Sequence, residues 1–272
     1  MDLQLEGKRV FVSGSTSGIG AEIARVFGAE GASVVVQGRN AGRAEKVATE
    51  IRTAGGTAMV SLGDLVDEGD AARVTAEVMD QLGGIDILVN NVGGREGPPT
   101  PGWFDVDYDV WVHTFELNVG TIVRMCHEFV PGMTERGWGR VINISSSAGT
   151  EPMPGTGLPD YASAKAGLNN LTAGLARSLA QSGVTVNTVQ PGPVLTEAMQ
   201  HWIDALTAER GWGDDPVEIQ RHLTSEMLDI STTQIGTPDN VAVIVALLAS
   251  PRADYITGAN YRVDGGQCRS VN

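Results

Sequence analysis

The sequence predicts an α/β protein: a doubly wound, mostly seven-stranded parallel sheet with helices on both faces and a helical segment laid over one end. Three observations lead there. Short runs of consecutive apolar residues, the pattern of strands buried on both faces, recur along the chain. They alternate with stretches that carry apolar residues at helical spacing, and right-handed crossovers turn such a βαβ series into a doubly wound sheet. A Gly-rich turn joins the first strand to the first helix, and no linker divides the 272 residues, so residues 1–272 read as one domain.

The first strand is Arg9-Val10-Phe11-Val12-Ser13, and the helix after the turn sets Ile19, Ile23, Val26 and Phe27 on one face until Gly31 stops it. Val34-Val35-Val36 forms the second strand, and Asn40 can cap a helix that runs to Gly55-Gly56. Ala58-Met59-Val60-Ser61-Leu62 is the third strand, followed by a helix from the candidate cap Asp67 to Gly83-Gly84. The fourth strand is Ile85-Asp86-Ile87-Leu88-Val89, and a long helix is expected over 106–130. Arg140-Val141-Ile142-Asn143-Ile144 gives the fifth strand, a helix carries Tyr161, and 184–189 gives the sixth. A helix near 240–250 and a strand near 260–263 close the series. Residues 196–235 break the rhythm and read as an insertion of two short helices.

Composition excludes several function classes. The 19 basic against 33 acidic residues, a net charge of −14, argue against nucleic acid or an anionic membrane as partner. Two cysteines, Cys126 and Cys268, give no disulfide framework, and no Cys/His cluster has the spacing of a metal site. The longest apolar run, 241–249, falls far short of the ~20 residues a membrane span needs. The amino terminus lacks the basic-then-apolar pattern of a signal peptide, so a cytoplasmic location is expected.

The chemistry gathers at two places. Tyr161-Ala162-Ser163-Ala164-Lys165 sets a phenol and an ammonium on one helix face, one turn apart, downstream of Ser145-Ser146-Ser147. A neighbouring positive charge favours a phenolate, so this spacing predicts a lowered tyrosine pKa and a tuned proton donor and acceptor. The second place is Ser13-Gly14-Ser15-Thr16-Ser17-Gly18-Ile19-Gly20. Its glycines permit a tight turn and a close approach of backbone to a pyrophosphate, at a helix start with free N–H groups. After Val36 come Gln37, Gly38, Arg39 and Asn40, with no acid to hold ribose hydroxyls. Arg39 can instead fork onto a 2′-phosphate, which favours NADP; a solvated Arg39 would leave NAD as the alternative. Asp64, beside Leu65, can accept from an adenine amino group or serve as a loop cap.

With Gly14, Gly18 and Gly20, Asn90-Asn91-Val92-Gly93, Ser146 and Tyr161-x3-Lys165 in this order, the chain resembles the short-chain dehydrogenase/reductase family. The resemblance runs nearly end to end, through Pro191-Gly192 and Val263-Asp264-Gly265-Gly266. It implies a Rossmann-type fold and an NAD(P)-dependent oxidoreductase acting on CH–OH groups. It implies that Tyr161 exchanges a proton with the substrate oxygen, that Lys165 lowers its pKa and binds the nicotinamide ribose, and that Ser146 hydrogen-bonds the substrate oxygen. Ser145 and Ser147 remain alternatives to Ser146. Asn118, in Leu117-Asn118-Val119-Gly120, matches the asparagine of a proton relay, or is a satisfied polar residue within its helix. Asn91 and Gly93 match the cofactor floor, and Pro191, Gly192, Val194 and Thr196 the segment that holds the nicotinamide. A homotetramer built on helices 106–130 and 161–180 is also implied.

Two departures stand out. Val92 replaces the family's usual Ala, and fifteen positions separate Ser146 from Tyr161, more than usual, with Pro152, Pro154, Gly155, Gly157 and Pro159 between them. The longer loop should reshape the substrate pocket. The insertion carries Met199, Trp202, Ile203, Leu206, Trp212, Leu223, Met227 and Leu228. Such residues pack more often than they touch ligand, yet two tryptophans over an active site point to an apolar or cyclic substrate. Trp103 and Phe104, after Pro98-Pro99-Thr100-Pro101, are expected to help close that pocket. The leading expectation is a small-molecule ketone or secondary alcohol as substrate. A 3-oxoacyl-thioester reductase is the alternative, disfavoured by the absence of a clear basic cluster for a carrier. A dinucleotide-binding sensor without turnover is a third.

Overall fold

The computed structural model describes residues 1–97, 102–152 and 158–270. Pro98-Pro99-Thr100-Pro101, and Pro154, Gly155 and Gly157 of the loop before Tyr161, lie outside the described residues. The strands are β1 Arg9–Val12, β2 Ser33–Gly38, β3 Thr57–Leu62, β4 Ile87–Asn90, β5 Gly139–Ile144, β6 Val184–Pro191 and β7 Asn260–Val263. They form one sheet in the order β3-β2-β1-β4-β5-β6-β7, each neighbouring pair parallel. The helices are α1 Gly18–Ala29, α2 Ala41–Thr53, α3 Glu68–Leu82, α4 Tyr108–Phe115, α5 Thr121–Arg136, α6 Pro159–Ser178, α7 Glu197–Arg210, α8 Pro216–Arg221 and α9 Pro238–Ala249.

Period-two alternation along the strands makes two cores. Val10, Val12, Val34 and Val36 meet Ile23 and Phe27 of α1 and Val241 and Val245 of α9 on one face. Phe11, Val35 and Leu88 lie under Val74 of α3, Met125 and Phe129 of α5 and Leu168 of α6 on the other. Phe11 and Phe129 join the layers ring to ring, with centroids 5.2 Å apart. The stop and start signals act as read. The Asn40 side chain accepts from Arg43 N–H, Asp67 accepts from Asp70 N–H, and Gly83 ends α3 in the left-handed region at φ 67°.

The helix expected over 106–130 differs in two ways. It runs from Tyr108 to Arg136, and a π turn over Glu116–Gly120 interrupts it between α4 and α5. One extra residue in that turn displaces Asn118 from the regular spiral. The 196–235 segment supplies α7, α8 and a π turn over His222–Met227. Its apolar residues build a small core of their own: Ile203, Leu206, Leu223 and Ile235 are buried, with Met199, Trp212, Met227 and Leu228 packed around them. Packing therefore accounts for most of its apolar pattern. No helix among the described residues is long and apolar enough to cross a membrane.

Strand order reverses between β1 and β4. In open parallel sheets the loops diverge at such a point and leave a crevice beyond the carboxyl ends of the strands.

Candidate active site

The crevice begins with the loop between β1 and α1. Gly14 and Gly18 hold φ of +62° and +55°, where a side chain would be strained. Asn91 Nδ2 donates to Ser13 O at 3.0 Å and Gly14 O at 3.1 Å, and Ser13 Oγ accepts from the N–H groups of Asn91 and Val92. A Cβ on Gly20 would stand 2.5 Å from Gly14 O, so the third glycine lets the helix close onto the turn. Gln37 completes the lock: its Oε1 accepts from Gly14 N–H at 3.1 Å, and its Nε2 donates to Gly63 O at 2.8 Å. Sequence reasoning missed Gln37; its signal was a lone amide in an otherwise apolar strand.

Two hollows flank this loop. The first, about 350 Å³, is lined by Gly14, Ser17, Arg39, Asp64, Leu65 and Asn91, with residues 93–96 at its mouth. Arg39 Nη1 lies 3.4 Å from Asp64 Oδ2 and 3.6 Å from Glu96 Oε1. Asp64 also accepts from Val66 N–H at 3.0 Å, so it closes a turn while facing the hollow.

The second hollow, about 320 Å³, brings Ile19, Gly20 and Gly93 together with Ser146, Tyr161 and Lys165; Pro191, Gly192 and Thr196 line it as well. Thr196 caps α7, its hydroxyl accepting from Met199 N–H at 3.2 Å. Val194 is not part of the lining: it is buried in the core and bridges to Gly236. Asn118 lies one layer deeper, fully buried. Its Nδ2 donates to Gly94 O at 2.6 Å and Thr114 O at 2.8 Å, and its Oδ1 accepts from Gly94 N–H at 2.9 Å. A Cβ on Gly93 would sit 2.7 Å from Asn118 Oδ1 and 2.8 Å from Lys165 Nζ.

The three serines separate cleanly. Ser145 donates to Lys165 O at 3.2 Å and Ser147 to Gln267 Oε1 at 2.7 Å, both buried. Ser146 hydrogen-bonds the Tyr161 side chain and accepts from Ala148 N–H at 3.2 Å. Lys165 Nζ donates to Ile144 O at 2.9 Å and lies 5.7 Å from the Tyr161 ring centre.

The pKa expectation from the spacing is corrected. Burial raises the Tyr161 pKa, and the Ser146 hydrogen bond offsets that only in part. Burial also pushes Lys165 down to about 7, so its proton is held too weakly near neutrality to act as a full fixed charge beside the phenol. Trp103 and Phe104 are a second correction. They are 59% and 93% exposed, Trp103 meets Phe104 edge-to-face and Trp111 at a tilt, and neither lines a hollow.

One group escaped sequence reasoning altogether. Asp160, next to Tyr161 and fully buried, receives Arg95 Nε at 3.2 and 3.0 Å on its two oxygens and the Thr114 hydroxyl at 2.7 Å.

These features have counterparts in known proteins. Residues 8–206 match the family described as short chain dehydrogenase. The chain belongs to that family. It is 33% identical over 265 residues to the 3-oxoacyl-[acyl-carrier-protein] reductase FabG of Vibrio cholerae, covering 97% of this chain and 98% of that one. The structure of L-sorbose reductase from Gluconobacter frateurii, complexed with NADPH and L-sorbose, superposes with a TM-score of 0.89 at 30% identity over the whole of both chains. A 7α-hydroxysteroid dehydrogenase complexed with NADH and 7-oxo glycochenodeoxycholic acid gives 0.84 at 30% identity, covering 100% of this chain and 98% of that one. The protein is thus an oxidoreductase of the short-chain type with a single Rossmann-like fold.

Proposed function

We propose that this protein interconverts a ketone and a secondary alcohol, apolar or cyclic, with NADP as its cofactor and NAD as the alternative. The observation that carries the reading is the meeting of Ser146, Tyr161 and Lys165 in one hollow with the glycine-lined turn. The residues fit a dinucleotide. Gly14 and Gly93 line both hollows without side chains of their own, the α1 amino terminus adjoins the turn, and Arg39 stands exposed where a 2′-phosphate would lie. The sorbose reductase with NADPH and the hydroxysteroid dehydrogenase with NADH support both cofactors and a cyclic substrate.

Held by the glycine-rich turn, Lys165 and the Pro191–Thr196 segment, a nicotinamide would supply or accept the hydride exchanged at the carbonyl carbon. Ser146 and Tyr161 direct hydroxyls at the substrate oxygen, where negative charge develops during reduction. Burial keeps the Tyr161 hydroxyl protonated and ready to donate. Lys165, protonated when it gains ribose hydroxyls as partners, then favours the phenolate left behind. Asn118 fixes both backbone groups of Gly94, and with them the loop that lines the hollow where a cofactor would bind. Tyr161→Phe should lower kcat/KM at least ~10²-fold while dinucleotide binding persists; near wild-type turnover would refute the assignment.

The FabG likeness favours a second reading, reduction of 3-oxoacyl thioesters. Against it, Arg221, the last residue of α8, is already paired with Glu218 and Glu226. Comparing acetoacetyl-CoA with cyclic ketones in one reductive assay separates the two. A homotetramer is supported by an open apolar groove of about 710 Å³ between α5 and α6, lined by Val123, Val130, Pro131, Leu171 and Leu175. Light scattering should give four copies for the wild type and fewer for Leu171→Arg.

A further inference from the structure

We propose that Glu96 is a specificity determinant of the dinucleotide site: its carboxylate occupies Arg39 and must leave it when a 2′-phosphate arrives, so it weakens the preference for NADP over NAD. This rests on the reading of Arg39 as the partner of the 2′-phosphate.

The loop after β4 presents Glu96 at a fixed place. Both backbone groups of Gly94 are held by the Asn118 carboxamide. The neighbouring Arg95 is tied to Asp160 by a pair in which the two side chains are only 6% and 0% exposed. Glu96 therefore stands at the mouth of the adenosine hollow, where Arg39 and Asp64 are also found.

The two carboxylates beside Arg39 differ in what else they do. Asp64 is built into its turn through Val66 N–H. Glu96 has an alternative place to go: its second oxygen lies 3.3 Å from His113 Nε2 on α4. That approach is close but poorly directed, and His113 Nε2 makes no hydrogen bond there. A phosphate on Arg39 would place its charges beside Glu96, and the carboxylate can turn towards the imidazole to relieve them. NAD carries no such group, and its ribose hydroxyls can donate to the same carboxylate.

The effect should be moderate, because Glu96 and Arg39 are 55% and 67% exposed. Exposed pairs contribute up to about 1 kcal/mol, a factor of about five in affinity.

The test is fluorescence titration of the full-length protein with NADPH and NADH for wild type, Glu96→Gln, Arg39→Ala and the double variant. Glu96→Gln should tighten NADPH about fivefold and leave NADH unchanged or weaker, and the gain should vanish in the Arg39→Ala background. If Arg39→Ala erodes the NADPH preference while Glu96→Gln changes nothing, or tightens both cofactors alike, the proposal is overturned and the Arg39 reading survives. An undiminished gain in the Arg39→Ala background overturns it too. If Arg39→Ala leaves the ratio of the two affinities unchanged, the Arg39 reading fails and the proposal fails with it.

Discussion

Arg95→Met should destabilise this protein more than almost any other single change at a polar residue. The Asp160 carboxylate is fully buried and gains both its oxygen contacts to Arg95 Nε, plus one bond from Thr114. Removing the guanidinium strands a charge that Thr114 alone cannot satisfy, and breaking a buried pair from one side costs about 3–5 kcal/mol. At about 2–4 °C per kcal/mol for a chain of this size, the melting temperature should fall by roughly 6–20 °C. Pairing the change with Asp160→Leu removes the stranded charge as well, and an apolar pair of similar volume is often neutral. The double variant should therefore recover most of the loss. The assay is thermal and urea unfolding followed by circular dichroism at one protein concentration, read as a double-mutant cycle. Asp160 directly precedes Tyr161, so kcat should fall and recover in the same order. A single-variant loss below about 1 kcal/mol, or simple additivity of the two changes, would refute the reasoning.

Three further outcomes follow from the site. Gly93→Ala inserts a methyl 2.7 Å from Asn118 Oδ1 and 2.8 Å from Lys165 Nζ; turnover should drop at least ~10-fold with little change in unfolding, since a small misplacement at a reacting centre is costly. Gln37→Leu strips Gly14 N–H and Gly63 O of their partner, and at about 1–3 kcal/mol for groups left unsatisfied it should weaken both dinucleotides together in a binding titration. Lys165 is held down to about 7 by burial, against an ordinary value of 10.5. Between those values the unfolded chain binds more protons than the folded one, so this group makes the cofactor-free protein more stable as pH rises from about 7. Urea midpoints at pH 7 and 8.5 should show that gain in the wild type and lose it in Lys165→Met; equal slopes would contradict it.

What was legible in the sequence followed from local rules. Asn40, Asp67 and Gly83 cap or stop their helices through residues one turn away, and the apolar strands announce a sheet covered on both faces. The Gly-rich turn, Ser146, Tyr161 and Lys165 were legible because their order is fixed along the chain. What stayed hidden depends on distance or on burial. Arg95 and Asp160 are separated by 65 positions, and nothing in either neighbourhood points to the other. The tyrosine pKa was misjudged because spacing reports which charges are close, while desolvation depends on what the whole fold places around them. Trp103 and Phe104 were placed in the pocket by proximity along the chain, and the turn Trp103–Asp105 carries them outwards instead.

The π turn at Glu116–Gly120 makes one residue of the long helix surplus to the scaffold. A chain one residue shorter there would be expected to close into an ordinary α-helical spiral. It would lose the sideways step that carries the Asn118 carboxamide to Gly94. The carboxamide that holds Gly94 thus sits within the stretch of this helix that carries the surplus residue. Such a placement lets the support beneath the cofactor be gained or abandoned by a single insertion or deletion, without rebuilding the layer that holds the molecule together.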